Sequence, residues 1–362
     1  MTTTITPAAL TVATPLEAAR VRSAQIEADL AVNPGDYRML SGDRPTGGLH
    51  LGHLIGSLAN RVRLQEMGVP TTILIADYQV ITDREHIGPV GDRVLQLVAE
   101  YLAIGIDPQR TVIFPHSAVP DLNQLMLPFL SLVTEAELHR NPTVKAELAA
   151  SGRGLSGLLL TYPVHQAADI LAVRGNLVPV GQDQLPHLEL TRTIARRFNE
   201  RYGPVFAEPD ALLSEGSLVL GTDGTKMSKS RGNAIALGDT EDRTRELIRR
   251  ARTDSERRIT FEPQRRPEVA SLLTIGAFTS GVPEVRLAEE IGDGGAARLK
   301  AFVVDSVNAY LCPVRARRAE LIADPGHLRE VLADGIVQAR AVAGEVLREV
   351  RQAMGTDYLL AG

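Results

Sequence analysis

The sequence predicts an α/β protein: a doubly wound parallel sheet followed by a mostly helical C-terminal third. Three observations predict it. Short β-branched or apolar runs alternate with longer stretches of helical spacing through the first two thirds of the chain. Glycine-rich loops stand where a strand hands over to a helix. Beyond Thr240 strand signals nearly vanish.

Each element follows from its own pattern. Residues 1–35 read as an extension, in which Leu16, Ala19, Val21, Ile26 and Leu30 give a helix over 16–32 that Asn33-Pro34-Gly35 stops. This helix is expected to pack on the body of the protein. Residues 37–41 predict the first strand, 42–48 a loop, and 50–64 a helix with the stripe Leu51, Leu54, Ile55, Leu58 and Val62. Residues 71–76 (TTILIA) predict a buried strand, 94–103 an amphipathic helix ended by Gly105, and 111–114 another strand. The run at 158–163 precedes an Ala-rich helix over 166–173. A strand follows at 177–181, a helix at 185–202, and a Gly/Lys/Ser loop at 218–233. Helices are predicted at 243–251, 284–291, 296–311 and 326–354. The implied division is an N-terminal extension (1–35), a sheet domain (36–238) and a helical region (239–362) whose last helix could pack back on the sheet.

Composition narrows the function. The chain has 362 residues, 44% hydrophobic and 23% charged, which suits a globular protein with a sizeable core. No stretch is long and apolar enough for a membrane span, and residues 1–15 lack the basic and apolar segments of a secretory signal. The single cysteine, Cys312, excludes an internal disulfide and a cysteine-cluster zinc site, so no metal site is expected. A reducing cytoplasm is the expected location. A net charge of −5 does not suit a non-specific nucleic-acid coat, so DNA binding is not expected and any RNA must be met by local basic patches.

Two loops carry chemistry. The first runs from Pro45 through Thr46, Gly47, Gly48, His50 and Gly52 to His53. Its glycines let backbone approach a ligand, and the following helix N-terminus offers free N–H groups and partial positive charge to phosphate. His50 and His53 share a helical face, so their rings can donate to phosphate oxygens as charge builds, while Gly52 leaves room for a purine or ribose. Two capping histidines beside a turn are the alternative. The second loop is Asp223-Gly-Thr-Lys226-Met227-Ser228-Lys229-Ser230. Two lysines in a Gly/Ser loop can close over a triphosphate and stabilise leaving pyrophosphate; a solvated linker is the alternative.

Together the His-Leu-Gly-His and Lys-Met-Ser-Lys-Ser motifs resemble the two signatures of class I aminoacyl-tRNA synthetases. Further segments are similar to the tryptophanyl branch: Arg44 to His53, Leu159-Leu-Thr-Tyr162-Pro163, Ala167-Ala-Asp169-Ile170, Val178-Pro-Val-Gly-Gln-Asp-Gln184, His187 to Arg192, and Arg197-Phe-Asn199. The resemblance implies a Rossmann-type catalytic domain with a helical anticodon-binding C-terminal domain. It implies ATP and Mg²⁺ as cofactors, and L-tryptophan, tRNA(Trp) and a second copy of the chain as partners.

The resemblance also implies roles. Asp169 would accept the indole N–H, Tyr162 and Gln184 would hold the α-amino group, and Val178 and Val180 would line the slot. Lys145 would reach the ATP phosphates, and Gly181 and Asp183 would meet the ribose. His50, His53, Lys226 and Lys229 would contact the developing charge, with Arg44, Thr46, Met227 and Ser228 completing the nucleotide site. Leu40, Gln79, Gln166 and Arg44 depart from the commoner bacterial pattern at the mouth and floor of the pocket. Gln166 three residues before Asp169 also resembles tyrosyl enzymes, which keeps tyrosine open as a substrate. The departures resemble a divergent bacterial branch with weakened binding of tryptophan-mimicking inhibitors. The arginines at 243, 245, 249, 250, 252, 257, 258, 315, 317 and 318 are candidate phosphate contacts for tRNA. A small-metabolite nucleotidylyltransferase and a synthetase-like tryptophan sensor or partner-binding protein are the other readings. The absence of Trp suits a protein whose synthesis must not stall when tryptophan is scarce, and chance explains it equally well.

Overall fold

The computed structural model describes residues 15–81, 88–151, 154–213 and 219–358. Residues 1–14 of the extension and Leu218 of the predicted loop lie outside the described residues. Five parallel strands form one sheet: β1 (Met39–Asp43), β2 (Thr71–Ile75), β3 (Thr111–Pro115), β4 (Leu177–Val180) and β5 (Asp210–Leu213), in the order β3-β2-β1-β4-β5. The order reverses between β1 and β4. In such sheets a crevice opens there, beyond the carboxyl ends of the strands.

Side-chain alternation divides the core. Ile73, Ile75 and Ile113 face one apolar cluster, while Leu74 and Phe114 face the other. The first cluster joins the helical stretch 51–66, α4 (Val90–Ala103) and the helices α10 (Glu241–Arg250), α11 (Pro267–Ser280), α12 (Glu284–Ile291) and α13 (Gly295–Ala323). The second joins α5 (Asp121–Leu130), α8 (Gly157–Ala172), α9 (Leu185–Tyr202) and α14 (Pro325–Ala353). The N-terminal helix α1 (Pro15–Leu30) buries Ile26 and Leu30 against Leu177 and Leu212, and Arg22 pairs with Asp210 at 2.6 Å.

Helix α14 packs back on the sheet at its outermost strand. A Cβ at Gly335 would lie 2.0 Å from the Ile113 carbonyl oxygen, so only glycine allows this approach. Arg340 Nε then donates to the Ala118 carbonyl at 2.7 Å, tying the helix to the turn after β3.

Several boundaries differ from the sequence expectation. Strand β1 begins two residues later than predicted and takes in Gly42 and Asp43, assigned to the loop. Helix α8 starts at Gly157 and runs through Pro163. The stretch 51–66 is helical as expected but has a π-wound turn at Leu54–Leu58, a distortion common beside functional sites. The helices α5, α6 (Glu135–Arg140), α7 (Pro142–Ser151) and α11, and strand β5, were not anticipated.

Candidate active site

The cleft at the sheet's switch point has a volume of about 910 Å³ including its mouth. Its walls come from β1 and the turn after it (Leu40 to Arg44), from Val178 of β4, from Gln184, and from Tyr162, Gln166 and Asp169 of α8. Helical spacing puts those three α8 residues on one face. Leu40, Arg44, Gln79, Tyr162, Gln166, Asp169, Val178 and Gln184 therefore converge as the sequence suggested. Val180 is buried in the core behind the cleft and does not line it. Lys145 is exposed on α7, and Asp183 is exposed in the turn after β4 with its Oδ1 2.7 Å from where a Cβ of Gly181 would stand. Neither Lys145, Gly181 nor Asp183 lines the cleft.

The floor is polar. Asp169 is buried, and Gln79 Nε2 donates to its Oδ2 at 3.1 Å. His116 Nδ1 lies 2.6 Å from its Oδ1, in a contact off the line of the ring N–H. Both Asp169 Oδ1 and Gln79 Oε1 are buried acceptors without an in-line donor. Such acceptors suit a ligand that brings a donor. His116, His165 and Asp169 also bring three possible metal-donor atoms within 4.8 Å, the one such group among the described residues.

At the opposite wall, His187 Nε2 and the Tyr162 hydroxyl are 2.9 Å apart, and Asn141 Nδ2 reaches His187 Nδ1 at 3.5 Å. An amide N–H only donates, so His187 carries its own proton on Nε2 and gives it to Tyr162. Burial holds His187 neutral, with its pKa down to about 4, and burial and the Glu147 carboxylate push the Tyr162 phenol up. The Tyr162 hydroxyl thus gives its own proton to the Glu147 carboxylate. Below β1, Asp43 pairs with buried Arg61 at 2.5 Å and takes the Tyr101 hydroxyl proton at 2.6 Å. Burial would raise its pKa, but Arg61 and these hydrogen bonds bring it to about 2.

The first signature loop pairs with the segment that follows the second. Leu51 N donates to the Ile235 carbonyl at 3.0 Å and Leu237 N to the Leu49 carbonyl at 2.9 Å. His53 Nδ1 accepts the His50 backbone N–H at 3.3 Å, which leaves the ring proton on Nε2. Burial first, then His53 and Lys229, lower His50 to about 3; burial also lowers His53. Both rings are neutral near pH 7 and donate without carrying charge. The room at Gly52 is filled on this side: a Cβ there would stand 3.0 Å from the His50 ring and 3.5 Å from Met227 Sδ. Lys229 Nζ reaches to 3.3 Å from the Cβ position of Gly47, so the second lysine lies over the first loop; both Lys226 and Lys229 keep exposed surface. Burial lowers the Lys229 pKa, and Glu100 opposes this. Thr46 and Ser228 lie in the same two loops.

Sequence reasoning missed the residues that hold these loops. Buried Glu100 accepts the Leu49 N–H at 2.5 Å and Arg318 Nε of α13 at 3.2 Å. Buried Asn233 accepts the Ser228 N–H at 2.7 Å and donates to Asp223 at 2.8 Å and the Lys226 carbonyl at 3.2 Å. It also missed His116, His165, His187 and Glu147. Some signals were available: His165 stands four residues before Asp169 on the same helix, and His116 directly follows a strand's carboxyl end.

Much of the arginine cluster is neutralised within the fold. Arg243 and Arg250 pair with Glu246, Arg245 with Asp242, and Arg252 with Glu268. Arg315 turns inward to Asn308 and Thr244, and Arg318 to Glu100. Arg249, Arg258 and Arg317 are exposed.

This fold and its paired loops define a class of nucleotide-activating enzyme, and comparison with known proteins specifies it. Residues 33–302 match the family described as tRNA synthetases class I (W and Y). The chain belongs to that family. It is 43% identical over 328 residues to the tryptophan–tRNA ligase of Treponema pallidum, covering 88% of this chain and 96% of that protein. It is 39% identical over 331 residues to that of Clostridium longisporum, covering 88% and 97%. Among solved structures it superposes with a TM-score of 0.76 on the Campylobacter jejuni tryptophanyl-tRNA synthetase complexed with ADP and tryptophan, at 31% identity and covering 88% and 99% of the two chains.

Proposed function

We propose that this chain is a tryptophan–tRNA ligase: it activates L-tryptophan with ATP to tryptophanyl-adenylate and pyrophosphate, then transfers tryptophan to tRNA(Trp). The observation that carries this reading is the near full-length similarity to tryptophan–tRNA ligases, in a chain whose switch-point cleft ends on a buried carboxylate. Tyrosine is less supported, because the relatives near 40% identity are tryptophan enzymes.

Indole is a large apolar body with one N–H, and Asp169 is the acceptor for it at the cleft floor. Tyr162, held between His187 and Glu147, and Gln184 orient the amino-acid backbone. The substrate carboxylate attacks the α-phosphorus of ATP and pyrophosphate leaves. A carboxylate is already ionised near neutral pH, so no general base is needed and catalysis is positioning plus charge stabilisation. His53 donates from Nε2, and Lys226 and Lys229 supply positive charge on the pyrophosphate side. The residues around these loops are His and Lys rather than paired carboxylates, so Mg²⁺ would be held by the phosphate oxygens of ATP, whose charge it would offset. The 2′-hydroxyl of the terminal ribose of tRNA then attacks the adenylate carbonyl, the acyl–phosphate bond breaks and AMP leaves.

Exposed Arg249, Arg258 and Arg317 are the remaining basic contacts for tRNA on the helical part, and the effect of reversing them would be salt-dependent. The working state is a cytoplasmic homodimer. Amino-acid-dependent ATP–pyrophosphate exchange tests the reading. Exchange with tryptophan alone supports it, exchange with tyrosine replaces the substrate, and no exchange with any amino acid removes the enzyme assignment.

A further inference from the structure

Beneath the floor of the cleft lies a polar cluster built around buried His116 and His165, neither of which lines the cleft. It joins His116, which follows β3, with Asn123 of α5, His165 and Asp169 of α8, and Gln79. His116 Nε2 and His165 Nε2 are 2.9 Å apart, and Asn123 Oδ1 lies 3.1 Å from the first and 3.2 Å from the second. Gln79 Nε2 reaches His165 Nδ1 at 3.3 Å and Asp169 Oδ2 at 3.1 Å.

Proton accounting orders this cluster. Turning the Gln79 amide over would set its oxygen against the Asp169 carboxylate, so its nitrogen faces both acceptors. His165 Nδ1 then carries a lone pair, and its ring proton sits on Nε2, directed at Asn123 and His116. Gln79 Nε2 also stands 3.5 Å from His116 Nδ1, but its two protons go to the two nearer acceptors, so His116 keeps Nδ1–H toward Asp169. Burial works against charge on His116, but the Asp169 carboxylate, with the Asn123 hydrogen bond and the field of Asp77, outweighs it and raises its pKa. Burial keeps His165 neutral. The imidazole nitrogens at 2.9 Å stand at hydrogen-bond distance, closer than the roughly 3.3 Å between two ligands about a tetrahedral zinc. The trio is therefore a proton-ordered brace rather than a metal site.

We infer that His116, backed by His165, is a positioning and specificity-determining residue: it fixes the Asp169 carboxylate in the orientation that reads the donor N–H of the amino-acid substrate. This rests on the reading of the cleft as the tryptophan pocket. His116 touches no substrate atom. It acts by holding Oδ1 through the 2.6 Å Nδ1 contact while Gln79 holds Oδ2, so that the carboxylate cannot rotate away from the ligand.

The experiment uses the intact chain, which contains no Trp, so the fluorescence change of tryptophan on binding is read without emission from protein indoles. Dissociation constants are measured for tryptophan and, by calorimetry, for the analogue in which sulfur replaces the ring N–H. In His116→Leu the tryptophan constant should rise about 10- to 100-fold, the scale of a hydrogen bond to a charged group, while the analogue's constant stays within about 3-fold. His116→Asn places an amide nitrogen where Nδ1 was and should recover most of the tryptophan affinity. Equal weakening of both ligands, or no weakening of tryptophan, overturns the inference. Should His116→Leu fail to fold, His165→Asn gives the same comparison, with the same direction and a smaller shift expected, and an unchanged ratio again overturns it. Failure of the wild-type chain to exchange pyrophosphate with tryptophan would sink the functional reading itself and is seen before any variant is made.

Discussion

Two glycines nine positions apart on α14 should respond to alanine with opposite signs. At Gly335 the new Cβ would stand 2.0 Å from the Ile113 carbonyl oxygen, 2.8 Å from its carbon and 3.0 Å from its nitrogen. These are backbone atoms of a strand, and no rotamer change relieves them. The helix must retreat by at least about 1 Å, and a gap of that size forfeits up to about half of each dispersion contact it opens. Overpacking of this kind costs about 1–3 kcal/mol, and the rigid obstacle places Gly335→Ala at the upper end. At Gly344 nothing lies within 4 Å of the Cβ position, so alanine there brings only its helix preference, about 0.5–1 kcal/mol of stabilisation. In a chain of this length each kcal/mol moves the melting temperature by about 2 °C. Circular dichroism melts at one scan rate should show Gly335→Ala lower by about 6 °C and Gly344→Ala higher by about 1–2 °C. The same helix holds the turn carrying His116 through Arg340, so Gly335→Ala should also raise the KM for tryptophan more than the KM for ATP. Melting of Gly335→Ala at or above wild type would refute the close-approach argument.

The remaining predictions concern the loops. Lys229→Ala should slow adenylate formation by about 10²–10³-fold, the cost of one transition-state donor, and near-normal exchange in that variant would remove its role. Asn233→Ala leaves the Ser228 N–H and Asp223 without their shared partner, so exchange should slow by at least about 10-fold while tryptophan binding is unchanged; a parallel loss of tryptophan binding would count against a loop-specific effect. Glu100→Gln removes the charge that meets the Leu49 N–H and Arg318, so the KM for ATP should rise about 10-fold with the tryptophan KM unmoved; an unchanged KM for ATP would show that the loop needs no such anchor. His50 has a folded pKa of about 3 against an ordinary value of 6.5, so its contribution to stability is present above 6.5 and lost as pH falls toward 3. Denaturant titrations of His50→Gln across that window should show a shallower acid loss than wild type, and parallel curves would contradict the buried neutral ring.

What the sequence made legible follows from which physical signals are local. Helix α9 was legible to the residue because its apolar stripe is bounded by a Gly at its end, and β2 to within one residue because five β-branched or apolar residues leave no other reading. Helix α11 was invisible for the opposite reason. Val269 to Ala277 are all buried, so the helix has no polar face and no period to detect. Strand β5 has four residues and was too short to register, and Pro163 suggested a boundary where the helix continues.

The same distinction separates the parts of the site. Residues that would touch ligand stand in contiguous runs, because a loop that cradles phosphate or a helix face that lines a pocket is built from near neighbours in the chain. The residues that hold them are long-range. Glu100 meets Leu49 across 51 positions and Arg318 across 218, and His165 meets His116 across 49. No local pattern encodes a partner that distant. What a sequence does show is a polar residue where an apolar one would pack better, as Glu100 does between Ala99 and Tyr101 on the buried side of α4. Burying a carboxylate is costly unless it is paired, so each such residue implies a partner elsewhere in the chain. Read that way, Glu100 and His165 each announce a long-range contact, and the fold alone says with whom.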